Sequence, residues 1–294
     1  MPRITPSGKS ACSSARRSLS TMTGPLPAGS DQTTAEDEDF LRFVGLIRSS
    51  TRIDLSQYKE AQMRRRLTTL RHKHGYATFE AYWKALSGSG ALMDEFLDRM
   101  TINVSEFWRN PSRWDVLASR FLPELLAESP RLRCWSAACS TGEEPYTLAV
   151  LLNEAGALSR SQIDATDLDR TVLAKAAQGT YPARSVKDVP KKMLDSYFEG
   201  SGDSYAIRKD IREKISFRQH NLLDDAFGGP YDLIICRNVM IYFTEEAKSG
   251  LYRRFAEALR PGGILFVGST EQIFSPGDYG LESADTFFYR RSYA

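Results

Sequence analysis

Three short stretches combine residue types that could hold and orient a small molecule. The first, Ala138-Cys139-Ser140-Thr141-Gly142-Glu143-Glu144-Pro145-Tyr146, follows an apolar run directly. Its glycine would let backbone approach a ligand, and Pro145 suits the first turn of a helix. No G-x-G-x-x-G is present, so the dinucleotide fingerprint is missing. Two carboxylates cradle a pyrophosphate poorly and a cationic group well. The same acids also fit an ordinary helix N-terminus, where negative charge is favoured. The second stretch is Ala165-Thr166-Asp167-Leu168-Asp169. An acid at this distance beyond the first loop commonly binds the ribose hydroxyls of an adenosine cofactor. Asp169 reads more simply as a helix cap, which leaves Asp167 as the better ligand. The third is Cys236-Arg237-Asn238-Val239-Met240-Ile241-Tyr242-Phe243, after Leu233-Ile234-Ile235. An Arg-Asn pair leaving a central strand is costly unless it finds partners, in a ligand or in the loop's own backbone.

The elements that must position these loops alternate. After a helix over 111–128, strand-like runs follow at 132–137, 162–166, 215–219, 231–236, 264–268 and 285–290, and helices over 144–154, 169–178 and 245–260 lie between several of them. This predicts an α/β fold, a Rossmann-like doubly wound sheet, with its last two strands antiparallel. Residues 101–294 would form this domain, and 35–100 a separate all-helical one. In the latter, Phe40, Phe43, Val44 and Ile47 keep one helical stripe, and a second helix is expected from about Leu55 to His74 with Leu55, Tyr58, Leu67 and Leu70 on its apolar side. Around 195–218, a Gly200-Ser201-Gly202-Asp203 turn between tyrosine-bearing runs suggests a small antiparallel β insertion with exposed edges. Residues 1–34, rich in Ser, Thr, Pro and Gly, are expected to be disordered.

Composition narrows the function classes. The 294 residues are 41% hydrophobic and 26% charged with a net charge of +2, so the overall balance favours neither nucleic acid nor membrane. No apolar run approaches the roughly 18–20 residues of a spanning helix. Cys12, Cys134, Cys139 and Cys236 show no CxxC pairing, and the histidines are three, so neither a metal site nor a disulfide framework is expected. A cytoplasmic protein is the default.

Ser140 to Tyr146, the Thr-Asp-Leu-Asp turn, Asn221-Leu222-Leu223, Arg237 to Phe243, and Asn103-Val104-Ser105-Glu106-Phe107-Trp108-Arg109 together resemble the chemotaxis-receptor methyltransferases, the CheR family. The resemblance covers residues 35–290 in order and spacing. It implies a class I methyltransferase sheet, S-adenosylmethionine as cofactor and S-adenosylhomocysteine as product. Contacts to the cofactor fall by resemblance on Asn103, Ser105, Arg109, Glu144, Asp167, Asn221, Leu222, Arg237 and Asn238, with Glu144 on the ammonium and Asp167 on the ribose. Ser105 stands where a threonine is usual. Ser136 stands where many methyltransferases end the first strand on an acid, which shifts that role to the Glu143-Glu144 pair.

The implied substrates are glutamate side chains on methyl-accepting chemoreceptor cytoplasmic helices. A glutamate is ionised at neutral pH, its reference pKa being about 4.3, so methyl transfer to it needs no general base. Arg109 and the Tyr242 hydroxyl are the candidates for orienting that carboxylate; Tyr242 also fits a core aromatic. Six Lys or Arg against one acid over residues 59–73 suggest a docking face that includes Arg64, Arg65 and Arg71. A solvated helix face is the alternative. The β insertion could take a receptor-tail peptide. No membrane insertion is implied, and nucleic acid is not the expected partner. Methylation of RNA, a small molecule or another protein competes, but amino-methylating nucleic-acid enzymes typically carry Asn/Asp-Pro-Pro-Tyr/Phe where this chain has Arg237-Asn238-Val239-Met240. A non-catalytic adaptor would be expected to have lost cofactor residues, and these are present.

Overall fold

The structure, a computed structural model, describes residues 34–101 and 105–293. Asn103 and residues 1–33 of the stretch expected to be disordered lie outside the described residues.

Helices α1 (Ala35–Thr51), α2 (Glu60–Lys73), α3 (Phe79–Ser87) and α4 (Gly90–Met100) come first. Acids fill the first turn of α1, and its Phe40, Phe43 and Ile47 are buried. Phe43 is the hub of this layer, with the rings of Phe79, Tyr82, Trp83 and Phe96 5.0–6.4 Å away. Asp39 caps α3 from the neighbouring helix by accepting from Phe79 N at 2.6 Å and Glu80 N at 2.9 Å.

The second helix begins five residues later than the sequence suggests, Leu55–Gln57 forming one 3-10 turn before α2 starts at Glu60. Tyr58 is extended and pairs antiparallel with Phe243. Lys59 N donates to Tyr242 O at 2.8 Å, and Thr244 N to Gln57 O at 2.9 Å. These tertiary bonds outcompete an earlier helix start and tie the helical layer to the third of the loops described above.

The expected helix 111–128 is α5 (Pro111–Val116), a π-helical turn (Leu117–Phe121) and α6 (Leu122–Glu128). Pro123 lacks the N–H that a regular turn would use, and the wider turn ahead of it accommodates the loss. Then follow β1 (Arg133–Ala137), α7 (Glu143–Glu154), β2 (Gln162–Asp167), α8 (Arg170–Gln178), β3 (Thr180–Pro182), α9 (Lys191–Tyr197), β4 (Phe198–Ser201), β5 (Ser204–Ile207), α10 (Lys209–Arg212), β6 (Ile215–Gln219), β7 (Tyr231–Cys236), α11 (Glu245–Ala258), β8 (Leu259–Val267), β9 (Leu281–Asp285) and β10 (Phe288–Arg291).

The large sheet has the order β6-β2-β1-β7-β8-β10-β9. Its first five strands are parallel and β10 runs antiparallel between β8 and β9. Every residue of β7 is buried, as a strand covered on both faces requires. The apolar run at 285–290 is two strands, because Phe287 turns the chain with φ 69°. The small antiparallel sheet is β3-β5-β4. It therefore begins at Thr180, earlier than expected, and ends at Ile207, while β6 belongs to the large sheet. The order of strands reverses between β1 and β7, which opens a crevice at their carboxyl ends. No described helix is long and apolar enough to cross a membrane.

Candidate active site

A cavity with about 1000 Å³ of atom-free space, its mouth included, lies at that switch point. Its walls come from the loops after β1, β2, β6 and β7, from the segment before α5, and from Tyr58, Met100 and Thr101 of the helical layer. Backbone strain concentrates around it. Ala138, Ser140 and Asn238 have φ of 61°, 49° and 61°, and Trp108 and Asn110, on either side of Arg109, have 54° and 61°. Such conformations persist only where surrounding bonds over-determine them.

Those bonds converge on carboxylates. Asp167 accepts from Ser140 N at 2.8 Å and Asp169 N at 3.0 Å, holding the loops after β1 and β2 together. Burial still pushes its carboxyl up to about 6. Glu144, on the first turn of α7, accepts from the Ser136 hydroxyl at 2.8 Å and lies 3.7 Å from an Arg237 nitrogen. Its side chain is 13% exposed, and burial raises its carboxyl to about 7 despite the neighbouring guanidinium. Glu143 is more deeply buried; it takes the hydroxyls of Thr141 and Ser105 and does not line the cavity. Of the paired acids, then, Glu144 faces the ligand space and Glu143 braces the turn. Gly142 has φ 94°, and a Cβ there would meet Ala176, Tyr181 and Tyr146 within 3.2 Å. Helix packing demands this glycine, rather than the ligand approach that the sequence suggested.

Arg237 leaves β7 with its side chain 3% exposed. It donates to Arg109 O and Asn110 Oδ1, both at 2.8 Å, and its guanidinium stacks over Phe266 and Trp114. Arg109 is half-buried and acts electrostatically on Glu144, Arg237 and Tyr242, so it sits among all three. Asn221 accepts from Leu223 N of its own turn at 3.0 Å and donates from Nδ2 to Arg52 O, just after α1, at 3.3 Å, and the carbonyl of Leu222 accepts from Arg254.

The cavity thus gathers Ser105, Arg109, Glu144, Asp167, Asn221, Leu222, Arg237, Asn238 and Tyr242. Sequence reasoning missed Glu271, which is 4% exposed and accepts from Asn238 N, Met240 N and Gly268 N at 2.6–2.8 Å. It also gave Tyr58 no part beyond helix packing, since nothing local marks it for the cavity wall.

The basic helix needs correction. Met63, Leu67, Leu70 and Arg71 share the buried face of α2, so Arg71 is 4% exposed, with its guanidinium over Phe79. Arg64 turns onto Phe40 and pairs with Asp37 at 2.5 Å. Arg65 remains exposed. It lines a groove with Gln62, Arg66, Thr69, Leu70, Lys73, Arg99 and Tyr242, so Tyr242 is a wall of both groove and cavity.

The residues fit an amino-acid-bearing nucleoside. A carboxylate beside a guanidinium matches an α-ammonium and an α-carboxylate, and the strand-end Asp167 suits ribose hydroxyls. The raised Glu144 and Asp167 both gain from such donors.

Comparison with known proteins agrees. The family model described as CheR methyltransferase, SAM binding domain, matches residues 103–288, and that of the CheR methyltransferase all-alpha domain matches residues 38–101. The chemotaxis protein methyltransferase of Listeria innocua is 44% identical over 254 residues, 86% of this chain and 97% of the relative. That of Listeria monocytogenes gives the same values. The chemotaxis protein methyltransferase Cher2 of Pseudomonas putida is 33% identical over 248 residues, 80% of this chain and 90% of the relative.

The raised carboxyls carry a pH signature. With Glu144 at about 7 against an ordinary 4.5, the folded ligand-free protein binds more protons than the unfolded chain between those values. Stability should therefore fall as pH rises from about 4.5 to 7, with Asp167 adding to the fall below about 6. Urea midpoints at pH 5.5 and 7.5 check this. Glu144→Gln should flatten the slope, and an equal slope in that variant would locate its cause elsewhere.

Proposed function

The chain belongs to the CheR methyltransferase family, whose domain here binds S-adenosylmethionine, and on that footing we propose that it esterifies glutamate side chains on the cytoplasmic helices of chemoreceptors. The observation that carries this reading is the position of Tyr242, between the cofactor cavity and a groove lined by Arg65, Arg66, Lys73 and Arg99. A groove of that charge suits an acidic helix, and it shares the Tyr242 wall with the cavity.

S-adenosylmethionine supplies a methyl group on a positively charged sulfur, and S-adenosylhomocysteine remains. Glu144 takes the ammonium and Arg237 and Arg109 the carboxylate of its amino-acid end. Asp167 takes the ribose hydroxyls, while Ser105, Asn221, Leu222 and Asn238 complete the cavity. Since the substrate carboxylate is already ionised, the chain's task is alignment and exclusion of water. Arg109 and the Tyr242 hydroxyl orient the carboxylate by charge-assisted hydrogen bonds. Burial raises the Tyr242 phenol above its ordinary range, so it stays protonated and donates. Arg66, with its guanidinium 5.6 Å from the Tyr242 ring and its Nη1 bonded to Met100 O, steadies the ring from the helical side.

Incubation with chemoreceptor-bearing membranes and methyl-labelled S-adenosylmethionine should yield protein-bound label that mild base releases as methanol. Label that resists base would mean a different acceptor atom. In the same assay Arg109→Ala and Tyr242→Phe should lower kcat by ten- to a hundredfold, the scale of a lost charge-assisted hydrogen bond of about 1.5–3 kcal/mol. Unchanged kcat in both would make these residues structural.

Docking along the groove predicts that Arg65→Glu with Arg99→Glu raises KM for receptor, spares S-adenosylmethionine affinity, and makes the rate less sensitive to salt. The outer edges of β3 and β4 suit an extended receptor-tail peptide, so receptor shortened by its tail should also show a higher KM. A double variant with wild-type KM at low salt removes the groove from docking, and an unchanged KM for tailless receptor removes the peptide.

A further inference from the structure

Glu271 has no place in any motif of the sequence, yet one buried carboxylate gathers the backbone of two loops. Oε2 accepts from Asn238 N at 2.6 Å and Gly268 N at 2.8 Å, and Oε1 from Met240 N at 2.7 Å. Among the described residues no cation pairs with it. A carboxylate buried without a cation is tolerable only if its oxygens are satisfied by donors, and here backbone N–H groups supply them. Space has been kept for this arrangement. A Cβ at Gly268 would collide with Glu271 Oε2 and lie 2.8 Å from Asn238 N. What the carboxylate grips is strained, for Asn238 has φ 61° immediately after Arg237.

We propose that Glu271 is a positioning residue for the cofactor, its carboxylate holding the Arg237–Asn238 turn in the left-handed conformation that presents both side chains at the cavity. The proposal rests on the reading that Arg237 and Asn238 hold S-adenosylmethionine. Both oxygens are needed. Glutamine keeps one acceptor and turns an NH2 group toward backbone donors, whereas aspartate keeps both acceptors on a shorter arm. The charge acts as well as the hydrogen bonds, since Glu271 opposes ionisation of Glu144 and favours the charged form of Arg237.

The test measures S-adenosylmethionine binding by calorimetry from pH 5.5 to 8.5, beside methyl transfer, in E271Q, E271D, Asn238→Ala and Arg237→Lys. E271Q should weaken binding about tenfold or more, the scale of a lost hydrogen bond to a charged group, with E271D recovering part of it. The affinity should rise with pH as Glu144 ionises. Glu144 is faced by Arg237 after β7, Arg109 before α5, Ser136 on β1 and Glu271 after β8. Loss of the Glu271 charge should therefore move the midpoint to lower pH, which mere loosening of the fold would not do. Folded E271Q with wild-type affinity, or with lost affinity and an unmoved midpoint, overturns the proposal. Wild-type binding in Asn238→Ala and Arg237→Lys would instead sink the reading of the turn itself.

Discussion

The architecture of the site depends on a guanidinium that the fold has taken out of water. Arg237 lies at the carboxyl end of β7 with its side chain 3% exposed. Removing a charge from water costs several kcal/mol unless its surroundings replace the lost hydration. Here the replacement comes from separate segments: the carboxylate of Glu144, the carbonyl of Arg109, the amide oxygen of Asn110, and the faces of Phe266 and Trp114. Satisfying one cation thus fixes the loop after β1, the segment before α5 and the turn after β7 relative to each other. The balance is left incomplete. Among the described residues Arg237 Nε has no partner, and Glu144 is raised to about 7 even beside the guanidinium. A site short of polar partners is one that a zwitterionic ligand can complete.

The same convergence explains what was legible in the sequence. Strands buried on both faces favour continuous apolar runs, so Leu233 to Cys236 of β7 and Ile264 to Val267 of β8 stand out. Arg237 and Asn238 are visible because a charged and an amide residue directly after such a run need a reason, and Glu144 and Asp167 because they stand where strand-like runs give way to the next helix. Glu271 escapes this logic, being an acid in a Ser-Thr-Glu-Gln loop of ordinary composition whose partners are backbone groups. The start of α2 escapes it too. Leu55 and Tyr58 fit a helical stripe, and only pairing with Phe243, 185 residues away in the chain (243 − 58), pulls them out of it. Arg71 shows the limit of counting charges. Its position relative to Met63 and Leu67 puts it on the apolar face, and helical period outranks side-chain polarity when a flat guanidinium can lie on Phe79.

The helical layer is more than a neighbour of the cavity. Tyr58, Met100 and Thr101 supply part of its wall, and backbone bonds at Lys59 and Thr244 lock the layer to the turn that carries Tyr242. A parallel sheet alone leaves its switch-point crevice open to solvent on one side. Covering that side with helices narrows the opening and places the basic groove against it, so the surface that would meet substrate and the wall that excludes water belong to one element.

This economy bears on the chemistry. Where a nucleophile must lose a proton, a site needs a base of matched pKa near the reacting atom. A carboxylate nucleophile removes that need and leaves a different difficulty, because water solvates the attacking oxygens and competes for the same donors. On the proposed reading the groups disposed around Tyr242 would answer this difficulty. Arg109 and Arg66 act on it from opposite elements, its phenol is raised so that it remains a donor, and the backbone on both sides of it is pinned by Lys59 and Thr244. Fixed donors cost little reorganisation when the substrate arrives, whereas water must be rearranged each time. On the proposed reading rigidity is the catalytic resource, and the strained residues at 108, 110, 138, 140 and 238 are where the chain would store it.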